Sequence, residues 1–155
     1  MITNNKIAIV TGASTGLGKS ISLKLALQGF KVILASRNEK KLNDVRKFIS
    51  ENGGESQVIS TDISNEKDVQ NLYSKISIND VDVLVNNAGF GIFNKIHKIT
   101  TEEWDKQINT NLRGSFLMSR YISKSMIKRK TGRLVFINSV AGINPYPYSS
   151  AYVAS

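Results

Sequence analysis

The sequence predicts an α/β fold, a doubly wound parallel sheet of about five strands with helices on both faces. Short apolar runs of strand length alternate with helical patterns of about 10–15 residues. A glycine-rich turn follows the first apolar run, and no repeat or linker interrupts the alternation. Such alternation implies right-handed crossovers, so the strands run parallel and a ligand is expected above their carboxyl ends.

The first strand is predicted over residues 7–10, and the glycine turn over 11–18 follows it and opens an amphipathic helix. Gly12 permits a tight turn, and Gly16 lets the backbone approach a ligand closely. Gly18 lets the helix pack on the strand without an intervening Cβ atom. The N-terminus of the helix directs unpaired N–H groups at the space above the turn, which suits a pyrophosphate.

Four further strands are expected over residues 31–35, 56–60, 81–85 and 133–137. The third strand is less apolar than the others, as is typical of an edge strand. The fifth strand is expected to form an exposed apolar edge of the sheet.

The intervening helices are predicted from caps and apolar spacing. Asn38 caps the second helix, and a capping box formed by Thr100 and Glu103 opens a helical region that continues toward Lys130. The apolar positions assigned to these helices are Leu42, Val45, Phe48 and Ile49, then Val69, Leu72, Tyr73 and Ile76, then Ile108, Leu112, Phe116, Leu117, Tyr121 and Ile122.

Length and composition limit the classes of function. The 155 residues correspond to one domain, and the absence of cysteine excludes disulfides and thiolate metal sites and makes a cytoplasmic location the default. No secretory leader or membrane-spanning segment is expected. The net charge of +9 is scattered, and its one compact run, 128–130, is interpreted as a solvated helix end rather than a nucleic-acid site. The lone His97 indicates no metal site.

Three motifs occur in a characteristic order. The glycine turn has the spacing T-G-x-x-x-G-x-G, and Asn86-Asn87-Ala88-Gly89 follows the fourth strand. Ser139 follows the fifth strand, and Tyr152 comes 13 residues later. This order of motifs resembles the short-chain dehydrogenase/reductase family over the whole chain. The resemblance implies a Rossmann fold and reversible hydride transfer between a nicotinamide cofactor and a small carbonyl or alcohol substrate, with no nucleic-acid or membrane partner.

The resemblance also implies roles for particular residues. Tyr152 would exchange the proton with the substrate oxygen, Ser139 would orient that oxygen, and Asn111 would distort its helix and hold a water of the proton relay. Asp62 would contact the adenine. The expected cofactor-binding residues are Gly12, Ser14, Thr15, Gly16, Leu17, Gly18, Ser36, Arg37, Asp62, Ile63, Asn87, Ala88 and Gly89.

The end of the second strand favours NADP(H) over NAD(H). An acidic residue at this position would hydrogen-bond a free ribose 2′-OH, whereas an arginine accommodates a 2′-phosphate. The sequence has Ser36 and Arg37 here and no carboxylate. A guanidinium can donate two charge-assisted hydrogen bonds to a phosphate. The alternative for Arg37 is a solvated side chain at the start of a helix.

Structural alternatives stay open for the other candidates. Asp62 could be a helix cap, Asn111 an exposed helical residue, Ser139 a polar strand end and Tyr152 a packing aromatic. A methyltransferase that binds S-adenosylmethionine also has a glycine turn after its first strand. That class predicts an acid after the second strand and does not predict Asn86-Asn87-Ala88-Gly89, so the oxidoreductase is favoured.

The family pattern has a lysine four residues after the tyrosine, and this sequence ends at Ser155, one residue before that position. In the family the lysine makes the phenol more acidic and holds the nicotinamide ribose. We therefore expect a C-terminally truncated member, without the final strands and helices of the family fold, that has weak or no activity. The alternative is an NADP(H)-binding module without chemistry. A full-length member would be a homo-oligomer, and the substrate is not determined by this sequence.

Overall fold

The computed structural model describes residues 6–76 and 81–155. The expectation that the N-terminus contains no secretory leader concerns mainly residues 1–5, which lie outside the described ranges. The elements are β1 (Ile7–Thr11), α1 (Gly16–Leu27), β2 (Lys31–Ser36), α2 (Glu39–Glu51), β3 (Glu55–Ser60), α3 (Glu66–Lys75), β4 (Val81–Asn86), α4 (Thr101–Gln107), a π-helical stretch (Ile108–Gly114), α5 (Ser115–Arg129), β5 (Arg133–Phe136) and α6 (Ser150–Val153).

The five strands form one sheet in the order β3-β2-β1-β4-β5, and each neighbouring pair is parallel. From β1 the chain moves outward through β2 to β3, then crosses to β4 and β5 on the other side of β1. The connections that leave β1 and β4 therefore diverge, which opens a crevice at the carboxyl ends of these strands. The predicted fold class is confirmed.

Alternate side chains of the strands supply two separate cores. Ile9 and Ile33 lie in one cluster, while Val10 and Leu34 lie in the other, as the two-residue period of a strand requires. The helical residues of the first cluster come from α3 and α5 and include Val69, Leu72, Leu117, Met118 and Ile122. Those of the second come from α1 and α2 and include Ala26, Leu42, Val45 and Ile49. Helices thus cover both faces.

Two helix starts agree with the sequence, and one apolar residue does not. The side chain of Asn38 accepts a hydrogen bond from the backbone N–H of Lys41, so it caps α2. Thr100 and Glu103 form the reciprocal capping box of α4. Phe48 belongs to the apolar pattern of α2, but its side chain is 49% exposed. The buried residues of this helix are Leu42, Val45 and Ile49, which fill its contact with the sheet.

The helical region after Thr100 is not one regular helix. It comprises α4, the π-helical stretch and α5, and the expected distortion at Asn111 falls in the π-helical stretch. A π turn contains more residues than an α turn, which rotates the residues that follow it about the helix axis. Leu112 and Phe116 belong to the apolar pattern of this region but are exposed, whereas Leu117 and Ile122 are buried.

The edge strand β5 exposes apolar side chains, as expected. Leu134 is 39% exposed, Val135 37% and Phe136 48%. The strand ends at Phe136 rather than at Ile137. No helix in the described ranges is long and apolar enough to cross a membrane.

The basic helix end differs from expectation. Arg129 was expected to be solvated, but it is half-buried, lies 3.6 Å from the Asp82 carboxylate and donates a hydrogen bond to the backbone carbonyl of Val81. The residues of β4 that hold it are distant in sequence, so a local charge pattern could not reveal them. Tyr152 lies inside the four-residue α6.

Candidate active site

The turn between β1 and α1 has the backbone that its glycines predict. Gly12 has a φ of 66° and Gly16 a φ of 53°, both in the region that favours glycine. A Cβ atom on Gly18 would lie 2.3 Å from the carbonyl oxygen of Gly12 and 2.4 Å from Nδ2 of Asn87. No atom lies within 4 Å of a Cβ placed on Gly16. The turn is therefore packed against the protein at Gly18 and open at Gly16.

The N-terminus of α1 is suited to an anion. Its cap residue, Thr15, makes no side-chain hydrogen bond to the helix, and the first turn contains no acidic residue. The N–H groups of a first turn have no partner within the helix and carry part of the positive helix dipole. This end of α1 can accept a phosphate through its backbone alone.

Thr11 links the glycine turn to the loop after β4. Its Oγ1 accepts hydrogen bonds from the backbone N–H groups of Asn87 at 2.9 Å and Ala88 at 3.0 Å, and donates one to the carbonyl of Val85 at 3.3 Å. The Asn87 amide donates to the carbonyl of Thr11 at 2.9 Å. The amide of Asn87 thus gives a hydrogen-bond donor to a carbonyl at the end of β1. These four bonds fix the two loops against each other.

The end of β2 presents hydroxyl groups and a cation. Ser36 donates a hydrogen bond to the hydroxyl of Ser14 at 3.0 Å, which joins β2 to the glycine turn. Arg37 is exposed at the rim of the same cleft. Ser14, Ser36 and Arg37 therefore line one part of the cleft, and neither Ser36 nor Arg37 at the end of β2 is acidic.

Asp62 does not cap a helix. The cap of α3 is Asn65, whose side chain accepts a hydrogen bond from the N–H of Lys67. Oδ1 of Asp62 instead accepts from the backbone N–H and the hydroxyl of Ser64 at 2.9 and 2.7 Å. These bonds hold the carboxylate at the wall of the cleft.

A cleft of about 440 Å³ lies over the carboxyl ends of β1, β2, β3 and β4. Every residue that the sequence predicted for cofactor binding lines it. The cleft is also lined by four residues that sequence reasoning missed, namely Ala35, Thr61, Phe90 and Thr110. The size suits an extended small molecule, and the lining offers both apolar walls and polar groups.

Asn111 connects three segments. Its Oδ1 accepts a hydrogen bond from the N–H of Phe90 at 3.1 Å, and its Nδ2 donates to the carbonyl of Phe90 at 2.9 Å and to Oγ of Ser155 at 2.8 Å. Its own backbone carbonyl accepts from the hydroxyl of Ser115 at 2.8 Å. Asn111 is therefore not an exposed helical residue, and the alternative interpretation is wrong.

Ser139 and Tyr152 do not line the cleft. Ser139 follows β5, and its Oγ accepts a hydrogen bond from the N–H of Ala141 at 3.2 Å. The Tyr152 ring is half-buried and meets the edge of the Phe93 ring, with 5.6 Å between ring centroids. Packing thus accounts for the position of the Tyr152 ring.

The family model described as short chain dehydrogenase matches residues 6–155. The chain belongs to the short-chain dehydrogenase family. This short-chain dehydrogenase is similar to several curated proteins. The chain is 37% identical over 153 residues to the 3-oxoacyl-[acyl-carrier-protein] reductase of Synechocystis. It is 31% identical over 156 residues to an uncharacterized oxidoreductase of Staphylococcus aureus. These matches cover 97% and 99% of the chain but 62% and 67% of the relatives, so it spans about two thirds of their length.

Solved structures of the family superpose closely on this short-chain dehydrogenase. A metagenomic short-chain oxidoreductase in complex with NADP gives a TM-score of 0.93 at 36% identity, with 98% of this chain and 71% of that chain covered. A putative NAD(P)-dependent gluconate 5-dehydrogenase from Beutenbergia cavernae with bound NADP gives 0.91 at 27% identity, with coverages of 96% and 60%. These likenesses confirm the fold and the oxidoreductase family.

Sequence reasoning overlooked two polar residues that organise the region in this short-chain dehydrogenase. Thr11 appears in the sequence only as the residue before Gly12, and its bridging role depends on a loop 76 residues away. Gln107 is fully buried, and its Oε1 accepts a hydrogen bond from the N–H of Ile92 at 2.8 Å. A polar residue one helical turn before Asn111 was a signal that could have identified it.

Proposed function

We propose that residues 1–155 act as a single dinucleotide-binding domain that holds NADP(H) in the cleft for hydride transfer to a small carbonyl compound. The observation that carries the proposal is the open glycine turn at the N-terminus of α1, placed beside Ser36 and Arg37 at the rim of one cleft. A pyrophosphate fits the first feature, and a 2′-phosphate fits the second.

The groups around Arg37 support NADP(H) over NAD(H). The exposed guanidinium can donate two hydrogen bonds to a phosphate, and the hydroxyl groups of Ser14 and Ser36 can donate to the same group. A free ribose hydroxyl would find no carboxylate at this position, so it would lose the acceptor that NAD(H) specificity needs. The bound NADP of the metagenomic relative is in keeping with this assignment.

When bound, the cofactor supplies the hydride that adds to the carbonyl carbon of the substrate. In that reduction the phenol of Tyr152 gives its proton to the carbonyl oxygen, and in the reverse direction it takes the proton of the alcohol. The hydroxyl of Ser139 donates a hydrogen bond that orients this oxygen. Asn111 holds the Phe90 backbone and Ser155, and so keeps the loop after β4 in place beside α6.

A polypeptide of residues 1–155 alone is proposed to be impaired in this reaction. It supplies no side chain four residues after Tyr152, where the family pattern has the lysine that makes the phenol more acidic. A cation beside a phenol favours the charged phenolate that remains after the proton is given up, so its absence slows proton transfer to the carbonyl oxygen. This chain should therefore reduce carbonyl compounds much more slowly than the same chain extended by the C-terminal third of a homologue.

The test combines cofactor binding with turnover. NADPH and NADH are titrated into the full chain by fluorescence, and the loss of NADPH absorbance is followed with ethyl acetoacetate and benzaldehyde as carbonyl probes. Tyr152→Phe should lower kcat about 100-fold or more, because it removes the proton donor, and should leave the Kd for NADPH unchanged. Tyr73→Phe is the matched control, since Tyr73 packs against the core on α3 and should keep normal turnover.

Each outcome has a distinct meaning. Tight NADPH binding with turnover that depends on Tyr152 supports the proposal. Binding without turnover in both the chain and its extended form indicates a cofactor-binding module instead. Absence of NADPH binding, or equal affinity for NADH, contradicts the assignment of the cleft or of the 2′-phosphate position.

A further inference from the structure

A buried amide lies one helical turn before Asn111. The side chain of Gln107 is fully buried on α4 and does not line the proposed cofactor cleft. Its Oε1 accepts a hydrogen bond from the N–H of Ile92 at 2.8 Å, and its Nε2 donates to the carbonyl of Glu103 at 3.4 Å. Burial of an amide costs free energy unless both of its ends are bonded, and both ends are bonded here.

The loop that Gln107 holds runs from Phe90 to Asn94. At its start, both backbone groups of Phe90 bond to the side chain of Asn111. At its end, the N–H of Asn94 donates to the carbonyl of Tyr148 at 2.9 Å. Gln107 bonds the loop between these two points. The loop thus spans the distance between the π-helical stretch and the segment that carries Tyr152.

The aromatic ring of Phe93 connects this loop to Tyr152. The ring meets Tyr152 edge-on at 5.6 Å and stacks on Tyr146 at 6.2 Å between centroids. A Cβ atom on Gly91 would lie 2.5 Å from Cζ of Phe93 and 3.2 Å from Cδ2 of Tyr152. The backbone at Gly91 is therefore packed directly under the two rings, so a shift of the loop moves both of them.

We propose that Gln107 is a positioning residue for the phenol of Tyr152, acting through the backbone of Ile92 and the ring of Phe93. The inference rests on the proposed function, because the role of Tyr152 as proton donor belongs to it. The physical reason is that Ile92 lies next to Phe93, so its bond to a rigid helix fixes where the ring can stand. A reacting group displaced by about 1 Å can lose about 100-fold in rate.

Three variants of the full chain separate positioning from simple core packing. Gln107→Met keeps the length of the side chain but removes the acceptor for the N–H of Ile92. Gln107→Asn keeps both the acceptor and the donor of an amide on a shorter side chain and serves as the conservative variant. Phe93→Leu leaves the buried amide intact and removes only the ring contact; because Phe93 is 52% exposed, this variant is expected to fold.

The readouts are kcat with the probe carbonyls, the Kd for NADPH, and the ring resonances of Tyr152 in protein labelled with ¹³C-tyrosine. Tyr152→Phe assigns those resonances. Gln107→Met and Phe93→Leu should shift the Tyr152 ring resonances and lower kcat by about 10- to 100-fold, with the Kd for NADPH changed less than about 2-fold. Gln107→Asn should retain clearly more of kcat than Gln107→Met.

The inference is overturned if Gln107→Met lowers only the melting temperature while kcat and the Tyr152 resonances stay as in the parent chain. It is also overturned if Phe93→Leu leaves those resonances unmoved. If neither the parent chain nor its extended form reduces a carbonyl probe, yet the Tyr152 resonances shift in both variants, the proposed function fails and the positioning of the ring stands.

Discussion

A Cβ atom on Gly18 would lie 2.3 Å from the carbonyl oxygen of Gly12. The first turn of α1 and the end of β1 are thus in contact through backbone alone, and the second nearest atom, Nδ2 of Asn87, belongs to the loop after β4. Three segments that are separate in sequence meet at this one position. The contact explains why the glycine turn and the Asn86-Asn87-Ala88-Gly89 motif occur in the same chain.

Gly18→Ala should destabilise the protein and weaken NADPH binding. The added methyl group cannot be accommodated by rotation of a flexible side chain, because its nearest neighbour is backbone. We expect a loss of about 1–3 kcal/mol in the free energy of unfolding, measured by urea denaturation. The matched control is Gly142→Ala, which meets no atom within 4 Å and should change stability by less than about 0.5 kcal/mol. Equal stability of the two variants would contradict this packing.

Thr11→Val tests what the hydroxyl of Thr11 contributes to stability while the volume of the side chain stays nearly the same. Valine has nearly the same shape but cannot accept the hydrogen bonds from the N–H groups of Asn87 and Ala88. We expect the free energy of unfolding to fall by about 1–3 kcal/mol, because buried donors lose their acceptor. Thr11→Ser keeps the hydroxyl and should lose clearly less. If both variants lose the same free energy of unfolding, the hydrogen bonds of the hydroxyl do not account for the contribution of Thr11.

Arg37→Ala should weaken the binding of NADPH and leave that of NADH nearly unchanged. Loss of a charge-assisted pair of hydrogen bonds to the 2′-phosphate predicts an increase in the Kd for NADPH of about 10-fold or more, measured by fluorescence titration. Arg46→Ala removes the same charge from the exposed side of α2, outside the cleft, and is the control for a general electrostatic effect. A similar loss in both variants would show that Arg37 acts only through net charge.

Asn111→Ala should loosen the loop after β4. The change leaves the N–H and the carbonyl of Phe90 without the partners that they have in the native structure. We expect a loss of about 1–3 kcal/mol in stability and faster amide hydrogen exchange at Phe90. Asn109→Ala, in the same π-helical stretch, is the matched control and should change stability by less than about 0.5 kcal/mol. Unchanged exchange at Phe90 in Asn111→Ala would contradict the assigned contacts.

The local features of the sequence predicted most of the fold. The order of strands and helices, the Asn38 cap and the capping box of Thr100 and Glu103 were all correct. The glycine turn was also predicted in its geometry, since Gly12 and Gly16 have the positive φ angles that their spacing indicates. These features depend on neighbouring residues and on the short-range conformational preferences of the backbone, which a sequence displays directly.

The differences between the sequence pattern and the structure concern positions whose surroundings come from distant parts of the chain. Phe48, Leu112 and Phe116 fit an apolar helical pattern, but they are exposed. A pattern gives the period of a helix and not which of its apolar residues meets the sheet, and the π-helical stretch changed that alignment. Arg129 was likewise judged by its charged neighbours, whereas Asp82 and the carbonyl of Val81 determine its environment.

By itself the sequence determined the alternation of strands and helices, the glycine turn and most of the residues around the cleft, because apolar period and glycine conformation are local properties. The tertiary structure alone decided that Thr11 accepts the N–H groups of Asn87 and Ala88, and that Gln107 and Asn111 hold the loop that meets Tyr152. Hydrogen bonds of this kind form wherever packing brings a buried donor to an acceptor. Which pairs meet depends on the fold as a whole, so the sequence supplied the residues and the packing selected the partners.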